Sequence, residues 1–375
     1  MTHDHFPSLN EIYERLDQFV GANPDIARIE TLGLSAENRE VKAVYITDKS
    51  VAAAEKEIAL VICGRHGQEL GTRVIGTALL DWLASAEGKE TRQHQQVIIV
   101  PVANPDGCVR GEFWAPKDKL SETEENTIAR LASVYQPDAV IDIHSWGGVL
   151  DGEAIVTANT SDSGEDIFIH ESIAAKMAER AAAKGYPFLI HRCRLSGGYN
   201  NFYCGMCYEN FHSLVFGMEV NHSFLDTKEN AQSGMAALKV LLDKGNTRSP
   251  WESHAGYPNR ILLGDFFTSI RATGVNAAER RKSRYEIWKN KGLFKAPKRE
   301  CLAPNSIRVT TKYSGEALSC SFALVCRMRG FPELKMIRLN GKNATATTYR
   351  DNCSTYVSID IHPSGKKEYE AIIEF

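Results

Sequence analysis

The chain is constrained most by its short, almost unbroken apolar runs. Ile58-Ala-Leu-Val-Ile-Cys63, Val97-Ile-Ile-Val-Pro-Val102, Ala139-Val-Ile-Asp-Ile-His144 and Ser213-Leu-Val-Phe-Gly-Met-Glu-Val220 are each of strand length. Strands of this composition are buried on both sides, and a sheet covered by helices on both faces supplies that environment. Helical periodicity between them agrees. Leu9, Ile12, Leu16, Phe19 and Val20 recur at helical spacing behind Pro7-Ser8, a second helix runs through Leu79, Leu80 and Leu83, a third covers about residues 124–135, and Lys228 to Leu242 closes the series. Val41–Thr47 reads as a further strand and Asn104-Pro-Asp-Gly107 as a turn. The expectation is an α/β fold over residues 1–245, with a mixed, largely parallel sheet and helices on both faces.

Beyond residue 245 the pattern changes twice. Residues 246–300 read as a helical connecting segment built around the basic helix Ala277–Lys291, a solvated helix packed by Tyr285, Ile287 and Trp288. From Ala303 the helical period is lost, and short runs such as Ser306–Thr311, Ser319–Cys326, Met336–Asn340 and Tyr356–Ile361 alternate with turn signals including Asn340-Gly341. Residues 301–375 are therefore expected to form a small all-β sandwich.

Composition narrows the function. An apolar share of 43% with 24% charged residues is that of a soluble globular protein, and the net charge of −3 lacks the basic bias of a partner for nucleic acid or an anionic membrane. No basic stretch leads into an apolar run at the N-terminus, and no window is long and apolar enough to span a membrane. Nine cysteines, an odd count scattered through strands and loops, read as reduced thiols, so the expected compartment is the cytoplasm. Cys204-Gly-Met-Cys207 has no second pair and reads as incidental.

The apolar runs end in metal-ligand chemistry. Gly64-Arg65-His66-Gly67-Gln68-Glu69 places an imidazole and a carboxylate three residues apart directly after the first run, and the run ending at His144 supplies a second imidazole. Two His and one Glu hold zinc with a fourth position open, and hydrolysis then needs a carboxylate that does not ligate the metal. Glu219, on the last run, is that carboxylate. Asp142 shares a strand face with His144 and reads either as its partner or as an ordinary capping carboxylate.

In this order the residues resemble the zinc carboxypeptidase (M14) family over about residues 8–245. Leu32-Gly-Leu-Ser-Ala-Glu-Asn-Arg39 resembles its Gly-x-Ser-x-Glu-x-Arg segment and Gly64–Glu69 its His-x-x-Glu pair. Asn104-Pro-Asp-Gly107 resembles its following turn, Asp142-Ile-His-Ser-Trp146 its third-ligand strand, and Ser196-Gly-Gly198 with Phe216–Glu219 its specificity loop and catalytic-glutamate strand. The resemblance implies one zinc on His66, Glu69 and His144, Glu219 as general base, and a peptide or small amide as substrate. One departure stands out: the family's Asn-Arg pair for the substrate carboxylate has no counterpart between Gly107 and His144. Arg110, Arg192 and Arg194 are the candidate replacements, and Asn200 is expected at the floor of the pocket for the leaving side chain. The resulting expectation is a zinc metallocarboxypeptidase. Its alternatives are an N-acyl amino-acid deacylase resembling the aspartoacylase and succinylglutamate desuccinylase group, a murein peptide carboxypeptidase, and more distantly a zinc-binding module without activity.

Overall fold

The computed structural model describes residues 5–113, 122–146, 154–159, 164–193, 202–221, 226–243, 261–264, 267–330, 332–350, 354–365 and 367–375. Two compact units are present, one made of Met1–Thr160, His170–Glu209 and Ser213–Thr247, the other of Ser161–Ile169, Asn210–His212 and Arg248–Phe375.

The first unit opens with α1 (Leu9–Ala22), which begins where Ser8 and Glu11 cap each other: the Glu11 amide donates to Ser8 Oγ at 3.3 Å and the Ser8 amide to Glu11 Oε2 at 2.7 Å. There follow β1 (Ala27–Leu34), β2 (Glu40–Ile46), β3 (Glu57–Cys63), α2 (Gly71–Ala84), α3 (Lys89–His94), β4 (Gln95–Val100), α4 (Pro105–Arg110), α5 (Glu122–Tyr135), β5 (Ala139–Trp146) and β6 (Ala154–Asn159). The series continues with α6 (Gly164–Ala182), β7 (Phe188–Cys193), α7 (Phe202–Phe211), β8 (Leu214–Asn221) and α8 (Thr227–Leu242). The eight strands form one sheet in the order β1-β2-β4-β3-β5-β8-β6-β7. Its centre, β4-β3-β5-β8, is parallel, while β1, β2 and β6 join by antiparallel pairing. Burial along β3 and β8 is almost continuous rather than alternating, as the apolar runs require, so both faces of the sheet are covered.

Asn104-Pro-Asp-Gly107 is not a free turn. Asn104 caps α4, accepting from the Gly107 amide at 2.8 Å, with Pro105 at the first helical position. Proline and asparagine serve a helix start and a tight turn equally well, which is why composition alone does not separate the two. In the first turn of this helix, the fully buried Asp106 carboxylate gathers the Ser35–Arg39 segment. It accepts from Ser35 Oγ at 2.7 Å, from the Glu37 amide at 3.0 Å and from Arg39 Nη1 at 2.6 Å.

The second unit contains β9 (Ile261–Gly264), β10 (Thr268–Ala272), α9 (Ala277–Lys289) and β11 (Lys298–Ala303) through β12 (Ser306–Tyr313), β13 (Phe322–Arg329), β14 (Met336–Leu339), β15 (Lys342–Asn343), β16 (Thr347–Arg350), β17 (Ser354–Ile361) and β18 (Lys367–Glu374). They form two antiparallel five-stranded sheets, β16-β17-β13-β10-β9 and β11-β12-β18-β14-β15. Phe322 of the first sheet meets Tyr369 of the second edge to face at 5.7 Å, so the sheets pack on one another. Ile261–Gly264 and Thr268–Ala272, read from the sequence as part of a helical connection, are strands, and β10 pairs with β13 across residue 300. The basic helix α9 is seated as expected on Ile287 and Trp288, both buried.

Asp106→Ala strips a buried acceptor from three donors and leaves the partly exposed Arg39 without its partner. The expected cost is about 3 kcal/mol, read as a lower urea midpoint at unchanged slope.

Candidate metal centre

The polar residues of the site lie at or just beyond the C-terminal ends of β3, β5 and β8. After β3, Gly64 turns the chain with φ of 63°, the left-handed region that glycine adopts without a Cβ penalty. Arg65, His66 and Glu69 follow on this turn, before α2. β5 pairs with β3 on one side and β8 on the other, and in the β5–β8 ladder His144 stands opposite Glu219.

Three side chains converge there. His66 Nδ1 lies 2.6 Å from Glu69 Oε1, while His144 Nδ1 lies 3.0 Å from Glu69 Oε2 and 3.1 Å from His66 Nδ1. All three residues are buried, and their candidate ligand atoms lie within 4.8 Å of one another. Two imidazole nitrogens that face each other and one carboxylate need a proton or a cation between them. The second nitrogen of His144, Nε2, lies 3.2 Å from Oδ2 of the fully buried Asp142. With Asp142 accepting from Nε2–H, the Nδ1 lone pair of His144 points into the cluster. Two imidazoles and a carboxylate, with no thiolate, make a donor set that fits zinc. Among the described residues this is the one grouping of its kind.

The electrostatics follow from burial and proximity. Burial opposes the charged form of His144, but the Asp142 and Glu69 carboxylates outweigh it and hold its pKa well above the ordinary value. Burial likewise works against ionised Asp142 and Glu69; His144 prevails in both, helped by Arg65 at Asp142 and by His66 at each, so both pKa values are lowered. Burial pushes Glu219 up to about 7, against the pull of His144 and with the repulsion of Glu69 and Asp142. Its Oε2 is buried without a hydrogen-bond partner among the described residues.

Backbone contacts brace the ligand turn. Asn104 Nδ2 donates to the Arg65 carbonyl at 3.2 Å, and Arg73 Nη2 to the carbonyls of Gly67 at 2.8 Å and Cys108 at 3.0 Å. The Ser145 amide donates to Glu69 Oε2 at 3.2 Å, and the Phe113 ring stacks on His66 at 3.8 Å. Gly67 packs so closely on Gly107 that a Cβ would land on the Gly107 carbonyl.

Of the residues singled out in the sequence, His66, Glu69 and His144 come together, and Glu219 stands beside them. Arg110 is ion-paired with Glu37 and lies 3.7 Å from Glu112. Arg192 pairs with Glu171 at 2.9 Å and is largely exposed. Arg194, Asn200 and Ser196-Gly-Gly198 lie outside the described residues. Cys204 and Cys207 are buried in α7, where Cys204 Sγ donates to the Phe216 carbonyl at 3.2 Å. The structure adds Arg65, which is itself buried. Its Nη1 lies 3.3 Å from Asp142 Oδ2 and its guanidinium 5.1 Å from the centre of the Tyr203 ring. A single arginine after an apolar run gives no sign in the sequence that it will be buried.

Comparison with known proteins supplies a family pattern for part of the chain and a fold. Residues 12–117 match the family model described as Zinc carboxypeptidase. The inactive metallocarboxypeptidase ECM14 of Saccharomyces cerevisiae is 30% identical over 110 residues, 28% of this chain and 26% of that protein. Human carboxypeptidase D is 28% identical over 116 residues, 29% of this chain and 8% of its own. The aligned stretch thus spans about a quarter or less of these relatives. Carboxypeptidase A from Helicoverpa armigera shares the fold, with a TM-score of 0.52 at 16% identity over 63% of this chain and 72% of that one. The resemblance read from the motifs is therefore borne out, in a sequence that carries the zinc carboxypeptidase pattern and in a mixed sheet with the carboxypeptidase fold.

Gly67→Ala forces backbone against backbone and is expected to cost about 2–3 kcal/mol. Gly76→Ala, whose Cβ would meet only ordinary contacts at 3.5 Å and beyond, is the control and should be neutral or slightly stabilising in the same thermal-unfolding measurement.

Proposed function

Taking the zinc carboxypeptidase pattern as the premise, we propose that the chain is a zinc-dependent metallopeptidase that hydrolyses a peptide bond and releases a C-terminal residue. The observation that carries this reading is the convergence of His66 Nδ1, the Glu69 carboxylate and His144 Nδ1 beside the buried, unpartnered oxygen of Glu219. Zinc held by these three ligands supplies Lewis acidity and lowers the pKa of water at its open position. The chain's own residues do the rest. Asp142 fixes the tautomer of His144, and Arg65 fixes Asp142. Glu219 accepts a proton from the attacking water at Oε2 and passes it to the leaving amine, and its burial, which favours the protonated carboxyl, helps it take that proton.

Substrate selection is assigned to the arginines and to Asn200. An exposed pair such as Arg192–Glu171 contributes at most about 1 kcal/mol, so a substrate carboxylate exchanges with Glu171 at little cost. Arg110 is only about one-third exposed and is shared between Glu37 and Glu112, which favours Arg192 or Arg194 as the clamp. The resemblance implies Asn200 at the pocket floor, and an amide there selects a small or polar leaving residue, a description that murein peptides and acidic dipeptides meet. Because no family-type Asn-Arg pair follows Gly107, deacylation of N-acyl amino acids stands as the second reading. Among the described cysteines none is paired, in keeping with a reducing, cytoplasmic setting, and no described helix is long and apolar enough to cross a membrane.

A turnover panel of C-terminally varied peptides, murein peptides and N-acyl amino acids separates these readings. Release of C-terminal residues supports the first, and exclusive turnover of N-acyl amino acids replaces it with the second. Metal analysis should find one zinc per chain, lost in His144→Ala; stoichiometric zinc in that variant removes the ligand set. Glu219→Gln should keep fold and zinc while kcat falls by about 10²-fold or more, since the amide fills the space but takes no proton.

A further inference from the structure

We propose that the second unit carries a docking groove for an extended acidic peptide segment with apolar side chains. The groove, about 770 Å³, runs between β11 and the start of β10, with the end of β13 beside it. Its apolar lining includes Phe267, Met328 and Phe375, and three cations, Lys298, Arg299 and Arg329, complete it with no acidic side chain among the lining residues. None of the three cations forms an ion pair with another described residue. Arg299 is tied instead to a neutral group, the Arg327 carbonyl, at 2.9 Å. On the neighbouring strand β12, by contrast, Arg308 takes both Glu300 and Glu370. Glu300, the one acid on β11, is thereby engaged away from the groove.

The strand itself favours a peptide over other anions. β11 is the edge of its sheet, pairs only with β12, and is exposed at every residue. An edge strand presents a row of backbone donors and acceptors that another extended backbone satisfies in register. Phe267, 41% exposed, adds a large apolar surface beside that row. Edge, apolar floor and uncompensated positive charge together select an extended segment that alternates carboxylates with aromatic or aliphatic side chains. The site involves none of the residues of the metal centre.

The test uses the whole chain and a dye-labelled peptide alternating aspartate with phenylalanine or leucine, amidated so that it offers no free C-terminus for cleavage. Anisotropy should show saturable binding that weakens with salt and falls about tenfold or more in Arg299→Glu/Arg329→Glu, with turnover unchanged in that variant. Cys301 is exposed and lines the groove, so its alkylation, followed on the peptide that contains it, should slow when the probe is bound. Equal binding of the lysine counterpart, undiminished binding in the charge-reversed variant, or tighter binding of a single-stranded oligonucleotide overturns the proposal. So does self-association abolished by Arg299→Glu in the absence of peptide binding, which would make a second copy of the chain the occupant.

Discussion

The site depends on the parallel register of β3, β5 and β8. Side chains alternate along a strand, so a slip of one residue in the β5–β8 ladder would set Ile143 or Ser145 against Glu219 and turn His144 to the opposite face. The same alternation puts Asp142 and His144 on one face and lets the carboxylate reach Nε2 of the ring. What holds the register is apolar: Ile141, Ile143, Phe216 and Met218 are fully buried, each contributing about 1.5–3 kcal/mol. The chemistry of the strand ends is therefore fixed by residues that take no part in it.

A second layer positions the turn that carries His66 and Glu69. Asp106 draws the Ser35–Arg39 segment onto α4; α4 sets Gly107 against Gly67, and its cap, Asn104, holds the Arg65 carbonyl. The motifs shared with the zinc carboxypeptidases thus divide into ligands and braces. Ser35, Arg39, Asn104 and Asp106 belong to the braces: Ser35 and Arg39 donate to a buried carboxylate that needs several donors to stay ionised, and Asn104 joins Gly107 to the Arg65 carbonyl.

Whatever rests on local pattern was legible in the sequence. Continuous apolar runs gave the buried strands, and a His or Glu at the end of such a run stands out because it interrupts the run where a parallel sheet presents its ligands. What was not legible is of one kind, contact between residues far apart in the chain. Arg39 and Asp106 are 67 residues apart, and Arg65 and Asp142 are 77 apart, so nothing local signals either pair. The arginines proposed from charge alone as substrate clamps, Arg110 and Arg192, have carboxylate partners remote in the chain. Ile261–Gly264 and Thr268–Ala272 are short strands whose pairing with one another and with β13 is set by tertiary contacts, and their length leaves too little periodicity to read.

Charge balance binds the centre together. Among the described residues, the Glu69, Asp142 and Glu219 carboxylates of the centre are accompanied by one buried guanidinium, that of Arg65 against Asp142, which leaves them two positive charges short when the histidines are neutral. A low-dielectric site does not tolerate such a deficit, and the protein groups alone can meet it only by binding protons. That is the direction in which His144 and Glu219 are displaced, the first well above its ordinary value and the second to about 7. A divalent cation supplies both missing charges at once, on the nitrogen and oxygen atoms that otherwise compete for a proton. With that charge met, Glu219 would hold a proton only in passing, as the general-base role proposed for it requires.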